Sequence, residues 1–227
     1  VSVDKPHLLI NFQDTYGRGN GGVAAEGVGE SWGAAAQTYP TNVKNFFETA
    51  YSFNNTVSLY GGTDMMQGFA SYTNNSVEGM IPGNKLERNT MNVRINTQFH
   101  SKLTTDAKIT YVNQKVKNRP RLGDAGTPIE AYIMPRDMSE EELKDYETIN
   151  PNNGQPVRKY WTTSSIYDNP YWSTNRTSVN EERNRVTLLG SAKYQLLDWL
   201  SIMGRVSYDR YDDKIDGSFY DGTVSLG

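Results

Sequence analysis

Tyr160, Trp161, Tyr167, Tyr171 and Trp172 crowd into one otherwise polar stretch of the chain. Flat rings of this kind stack on sugar faces and peptide side chains, and long loops on a rigid scaffold are common places for binding. They are the candidate ligand contacts. The plainer use of the same rings is to pack a long loop against itself or against a partner protein. A second set, Arg94, Lys108, Lys193 and Arg205, could guide an acidic substrate by charge. Alternatively these cations pair with one another, with Asp106 and Asp209, or with other parts of the protein.

Other combinations fall short of a site. Gly17-Arg18-Gly19-Asn20-Gly21-Gly22 matches G-x-G-x-x-G, which cradles a pyrophosphate only where a helix begins. The following Val23–Gly29 is too glycine-rich for a helix, so the run reads as a flexible loop. Asp209, Asp212, Asp213 and Asp216 gather carboxylates, but their spacing fits no calcium loop, and solvated charge is the simpler reading. His7 and His100 are isolated, which leaves a histidine metal site without support. There is no cysteine, hence no disulfide, thiolate metal site or cysteine nucleophile. Neither histidine sits near a nucleophile elbow, and no carboxylate pair flanks a recognisable cleft. No catalysis, cofactor or metal is expected.

The 227 residues carry a formal net charge of -3 with no basic patch, which argues against nucleic acid as a partner. Hydrophobic residues make up 36%. No run of about 18 apolar residues exists, so membrane helices are excluded. A membrane barrel is not, because its strands alternate and average out as hydrophilic. No signal peptide follows Val1 and there is no starting Met, so the chain reads as a mature protein or a piece of a longer one.

The elements that must position these residues announce themselves by a period of two. Arg185–Tyr211 reads as one hairpin. Val186, Leu188, Gly190, Ala192 and Tyr194 share one face with Leu200, Ile202, Gly204, Val206 and Tyr208, while Lys193 and Arg205 fall on the other. Phe53–Tyr60, Gln67–Glu78, Asn89–Ser101 and a strand through Ala107, Ile109 and Tyr111 alternate likewise, and His7–Phe12 could be a further strand. The pattern stops between Asn118 and Asn180, far beyond the usual connection length. Inside that gap Ser139-Glu140-Glu141-Glu142 is a capping box, which predicts a short helix over Glu140–Tyr146. The organisation is thus a first strand and glycine-rich loop (1–44), strands (45–117), a long loop (118–180), a hairpin (181–213) and a final loop (214–227).

A soluble sheet buries its apolar face in a core, whereas a membrane barrel turns it outward to lipid. Two features favour the barrel. The polar face carries bulky groups at successive positions (Asn92, Arg94, Asn96, Gln98, His100), more like a wetted lumen than a packed interior. The connections also alternate between short turns and longer loops, as in outer-membrane barrels. Phe46, Phe47, Phe99, Trp199, Tyr208 and Tyr211 lie near expected strand ends, where girdle aromatics would sit. Long loops and terminal aromatics also occur in soluble antiparallel proteins.

Several segments resemble the SusC/RagA family, the TonB-linked outer-membrane proteins of the Bacteroidetes. Asn42–Thr49 and Asn54–Gly62 look like its early barrel, followed by Ser71-Tyr72, Gly79-Met80-Ile81-Pro82 and Arg88-Asn89. Tyr16–Gly19 and Ser31-Trp32-Gly33 resemble the segment before these strands. Met134–Asp137, Asn169–Trp172 and Glu181–Val186 resemble a later loop and strand. The resemblance implies a 22-stranded barrel holding an N-terminal plug, lidded by a SusD-like surface lipoprotein and importing glycans or peptides with energy relayed by TonB. This chain lacks the plug, and about seven strands are only a third of such a barrel.

The expectation is therefore an all-β chain: an antiparallel transmembrane β-barrel segment with long extracellular loops, in contact with outer-membrane lipid. Arg94, Lys108, Lys193 and Arg205 would face the lumen. The alternatives are a passive porin-like barrel and a soluble glycan-binding or adhesive β-protein.

Overall fold

The computed structural model describes residues 37–159, 167–220 and 223. The chain enters through α1 (Asn42–Phe46) and then forms β1 (Tyr51–Gly62), β2 (Met66–Glu78), β3 (Lys85–Phe99) and β4 (Leu103–Lys117). Next come α2 (Thr127–Tyr132), α3 (Glu140–Lys144), β5 (Glu147–Ile149), β6 (Pro156–Arg158) and α4 (Pro170–Arg176). The longest strands close the described chain, β7 (Thr177–Leu197) and β8 (Leu200–Phe219). Six strands form one antiparallel sheet in the order β1-β2-β3-β4-β7-β8, while β5 and β6 pair separately. The fold is mostly antiparallel β, as the alternation foretells.

The strands lie where the period of two places them, but several boundaries differ. Residues 214–219, expected in a loop, continue β8 through pairs such as Lys214 with Glu182 and Thr177 with Phe219. The alternation continues there with its parity reversed, Ile215 and Phe219 falling on the face of Arg205, and backbone pairing runs on regardless of which face is apolar. β7 likewise begins at Thr177, inside the expected loop. Around Asn45, where strand was expected, the chain is helical: Val43 and Phe46 share one side of α1 and are both buried. Phe46 is accordingly no girdle residue, and Phe47 packs beside it. Tyr208 and Tyr211 sit midway along β8 rather than at its end. The capping box is present, with Ser139 Oγ accepting from the Glu142 amide at 3.1 Å and Glu142 Oε2 accepting from the Ser139 amide at 2.8 Å. Its helix stops at Lys144, because Glu147 already pairs with Arg158 in β5–β6. The His7–Phe12 strand and the Gly17–Gly22 run lie outside the described residues.

The long connection is a small folded body at one end of the sheet, here called the loop end. Val43, Phe46, Ile81, Ala131, Met134, Met138, Leu143 and Tyr171 form its core. Asn42 stitches it together: Nδ2 donates to the Pro135 carbonyl at 2.7 Å and the Met138 carbonyl at 3.1 Å, while Oδ1 accepts from Arg136 at 2.7 Å. Asn169 caps α4 by accepting from the Tyr171 amide at 2.9 Å and donates to the Leu143 carbonyl at 2.9 Å. Asn118, at φ +51°, leaves β4 and donates to the carbonyls of Pro82 and Thr174, tying the β2–β3 loop to α4. Every residue of β1 and of β8 is exposed, so the buried core lies in the loop body and not against the sheet.

Trp172, fully buried, donates from Nε1 to Thr223 Oγ1 at 3.0 Å and meets Tyr146 and Tyr220 edge-on. Trp172→Ala should cost the loop body about 3–5 kcal/mol. Limited proteolysis should then cut within 118–176 while the strands stay protected.

Candidate functional site: a two-faced sheet and its loop body

Strand pairing lets each face be read row by row across the sheet. One row of the first face runs Leu59, Ala70, Val93, Ile109, Leu188, Tyr208. Towards the turns the same face continues through Ile95, Ala107, Gly190 and Val206, then Phe99, Leu103, Tyr194 and Ile202. These large apolar groups are exposed: Leu59 is 72% accessible, Ile202 60% and Val206 70%. Burial of such residues normally stabilises a fold by about 1.5–3 kcal/mol each. A continuous apolar sheet face this size marks an interaction surface.

Towards the loop end, this face turns polar abruptly. The row Val57, Tyr72, Met91, Tyr111, Val186, Arg210 gives way to Asn55, Asn74, Asn89, Asn113, Asn184, Asp212. Tyr72 Oη donates to Asn89 Oδ1 at 2.7 Å, and Asn74 Nδ2 reaches the same oxygen at 2.9 Å. Tyr111 and Asn113 repeat the arrangement on Asn184, at 3.0 and 2.8 Å. The next row, Glu87, Lys115, Glu182, Lys214, alternates in sign across four strands.

The opposite face is polar along its central row, Ser58, Ser71, Asn92, Thr110, Thr187 and Asp209. Asn92 donates to Ser71 at 3.3 Å and accepts from Thr110 at 2.8 Å, and Thr56 and Thr73 hydroxyls meet at 2.9 Å. Arg94, Lys108, Lys193 and Arg205 all fall on this face, and Arg94 is directly opposite Lys108. Arg94 forks onto Asp106 at 2.7 and 3.0 Å. Asp209 does not serve these four cations: it accepts both from Arg185 and from Thr187. Arg183 forks onto Asp213 with both contacts at 2.6 Å. The four aspartates are therefore no calcium cluster, because Asp209 and Asp213 point to one face while Asp212 and Asp216 point to the other. Among the described residues no group of three or more potential ligands gathers for a metal.

The expected ligand aromatics are dispersed. Tyr171 and Trp172 are buried in the loop body, where Tyr171 meets Phe46 edge-on at 5.2 Å, so they pack the loop and offer no face to a ligand. Tyr167 is half-buried, and Tyr160 and Trp161 lie outside the described residues. Beside Trp172 sits a polar group that sequence reading missed. Glu130 is 1% exposed and accepts from the Asp168 amide at 3.3 Å through Oε1, while its Oε2 and Ser173 Oγ find no hydrogen-bond partner among the described residues. Asp168 is itself fully buried and pairs with Arg158. Nothing in the local sequence marks Glu130, since it reads as one more acid in a long polar loop. The Tyr-x-Asn repeat at Tyr72–Asn74 and Tyr111–Asn113 was a legible signal.

No protein-family model matches the chain, and no curated protein does either.

Burial, reinforced by the Asp168 charge, pushes the Glu130 carboxyl up from 4.5 to about 7. The neutral carboxylic acid is the form that the folded loop favours. Its contribution is complete below the unfolded value near 4.5 and is lost as pH rises through about 7, amounting to about 3 kcal/mol. Protection of the α2 and α4 amides against hydrogen exchange, relative to an unstructured chain at the same pH, should therefore fall between pH 5 and pH 7.5. Glu130→Gln should flatten that dependence.

Proposed function

We propose that this sheet is a stretch of wall from an outer-membrane barrel of the SusC/RagA type. In that role it takes part in TonB-dependent import of glycans or peptides, together with a SusD-like lipoprotein. The observation that carries the reading is the length of the apolar band on one face. Met91–Phe99, Leu103–Tyr111 and Leu200–Tyr208 each span nine residues, and their outward positions are apolar apart from Thr97 and Thr105. A strand crossing a bilayer needs about 9–11 residues at a tilt near 45°.

The stagger of the turns supports the same reading. Gly62–Gln67, the last pair of β1–β2, is level with Asn96, three residues short of Phe99. Leu103, in the last pair of β3–β4, is level with Tyr194, three residues short of Leu197. Six residues of stagger are roughly 20 Å over four strand spacings of roughly 19 Å in total, a slope of about 45°. Barrel strands tilt by about 35–45°.

In this arrangement the apolar face meets lipid. The polar face, with Arg94, Lys108, Lys193 and Arg205, lines the lumen, where substrate would pass close to fixed charges. The loop body lies on the extracellular side, within reach of a lid protein. A soluble adhesive protein would instead need a second layer over the apolar face.

Two measurements test the proposal. The full-length protein should require detergent to stay in solution and should migrate differently on gels before and after heating; a protein soluble without detergent would refute it. Val206→Arg, near the middle of the Leu200–Tyr208 band, should impair barrel assembly by roughly 2–4 kcal/mol, the cost of a lipid-facing charge near the midplane. Normal assembly would mean that the faces are reversed.

A further inference from the structure

The apolar band ends well before the strands do. β7 and β8 are 21 and 20 residues long, and β3 and β4 are 15 each, so every one continues past the band towards the loop end. The change along this face is sharp and has three parts in fixed order. First come Tyr72 and Tyr111, whose rings extend the apolar surface. Their hydroxyls point away from the band, onto Asn89 and Asn184. Next is a row of side-chain amides, and after it the alternating Glu87, Lys115, Glu182 and Lys214. An amphipathic ring with its polar tip turned out of an apolar layer is the arrangement favoured at a membrane–water interface. Side chains of alternating charge, one row further on, belong in a wet environment and would be costly in hydrocarbon.

The edge departs from a single row only at the outer strands: on β8 this face becomes charged one row early, at Arg210, and on β1 Phe53 and Tyr51 lie beyond Asn55.

From this geometry we infer that the Tyr72–Asn89 and Tyr111–Asn184 pairs mark the zone where the wall meets the lipid headgroups of the outer leaflet, at somewhat different depths because their shared row is tilted with the sheet. The inference rests on the barrel reading and adds the depth at which the wall is seated. Beyond that zone, 177–184 of β7 and 212–219 of β8 form a free-standing rampart. The loop body is carried on that rampart, clear of the acyl chains.

Depth-dependent quenching tests it. The chain has no cysteine of its own, so single cysteines bearing a small fluorophore can be placed in the full-length protein within bilayers of acyl-brominated lipid. Ala107→Cys and Val206→Cys should be quenched severalfold more than Lys115→Cys and Lys214→Cys, with Asn113→Cys and Asp212→Cys grouping with the lysine positions. Equal quenching at Ala107 and Lys115, or at Val206 and Lys214, would overturn the headgroup zone while leaving the barrel intact. Absence of quenching at Ala107 and Val206 would overturn the barrel reading as well.

Discussion

A sheet with one apolar and one hydrogen-bonded polar face requires two different surroundings. That requirement governs this protein. Each strand satisfies its neighbours' backbone groups, but β1 and β8 leave their outer edges unpaired within the described sheet. No described element covers either broad face, and the buried core lies wholly in the loop body. In water alone the exposed Leu, Ile, Val and Phe side chains would favour aggregation. In the proposed barrel, lipid would cover the same side chains and turn them into a source of stability.

The strands were legible because alternation is a local signal: each residue's face follows from its parity. The cations Arg94, Lys108, Lys193 and Arg205 could be assigned to one face for that reason. Legibility failed where parity ceased to track polarity. Along the end of β8 the parity reverses, with Ile215 and Phe219 on the face that is otherwise polar, so β8 looked finished when it was not. It failed again wherever the partner is distant in sequence. Phe46 and Tyr171 look like surface aromatics until the 124 intervening positions are folded away and the two rings meet. The four aspartates erred in the opposite direction, since proximity along the chain suggested a cluster that strand geometry divides between two faces.

Polar side chains, more than apolar ones, give the loop body its definite shape. Its helices are five to seven residues long, too short to be stable alone. Asn42, Asn118 and Asn169 satisfy backbone carbonyls that the irregular path would otherwise leave unpaired. Arg176 adds a bidentate pair to Glu147 at 2.6 and 2.7 Å and lies over the Tyr220 ring at 4.9 Å. The Glu130 carboxyl is the exception within this network, being held buried with one oxygen unpartnered.

The junction of α4 and β7 has a mechanical consequence. α4 ends at Arg176 and β7 begins at Thr177, with no linker between them. No glycine occurs from Gln155 to Leu189 to act as a pivot, and the Thr177 hydroxyl donates back to the Ser173 carbonyl across the joint. The loop body and the seventh strand consequently behave as a crank fixed to its shaft. Force applied to the body is delivered as bending or shear of the hairpin, so motion of the body must be registered in the sheet.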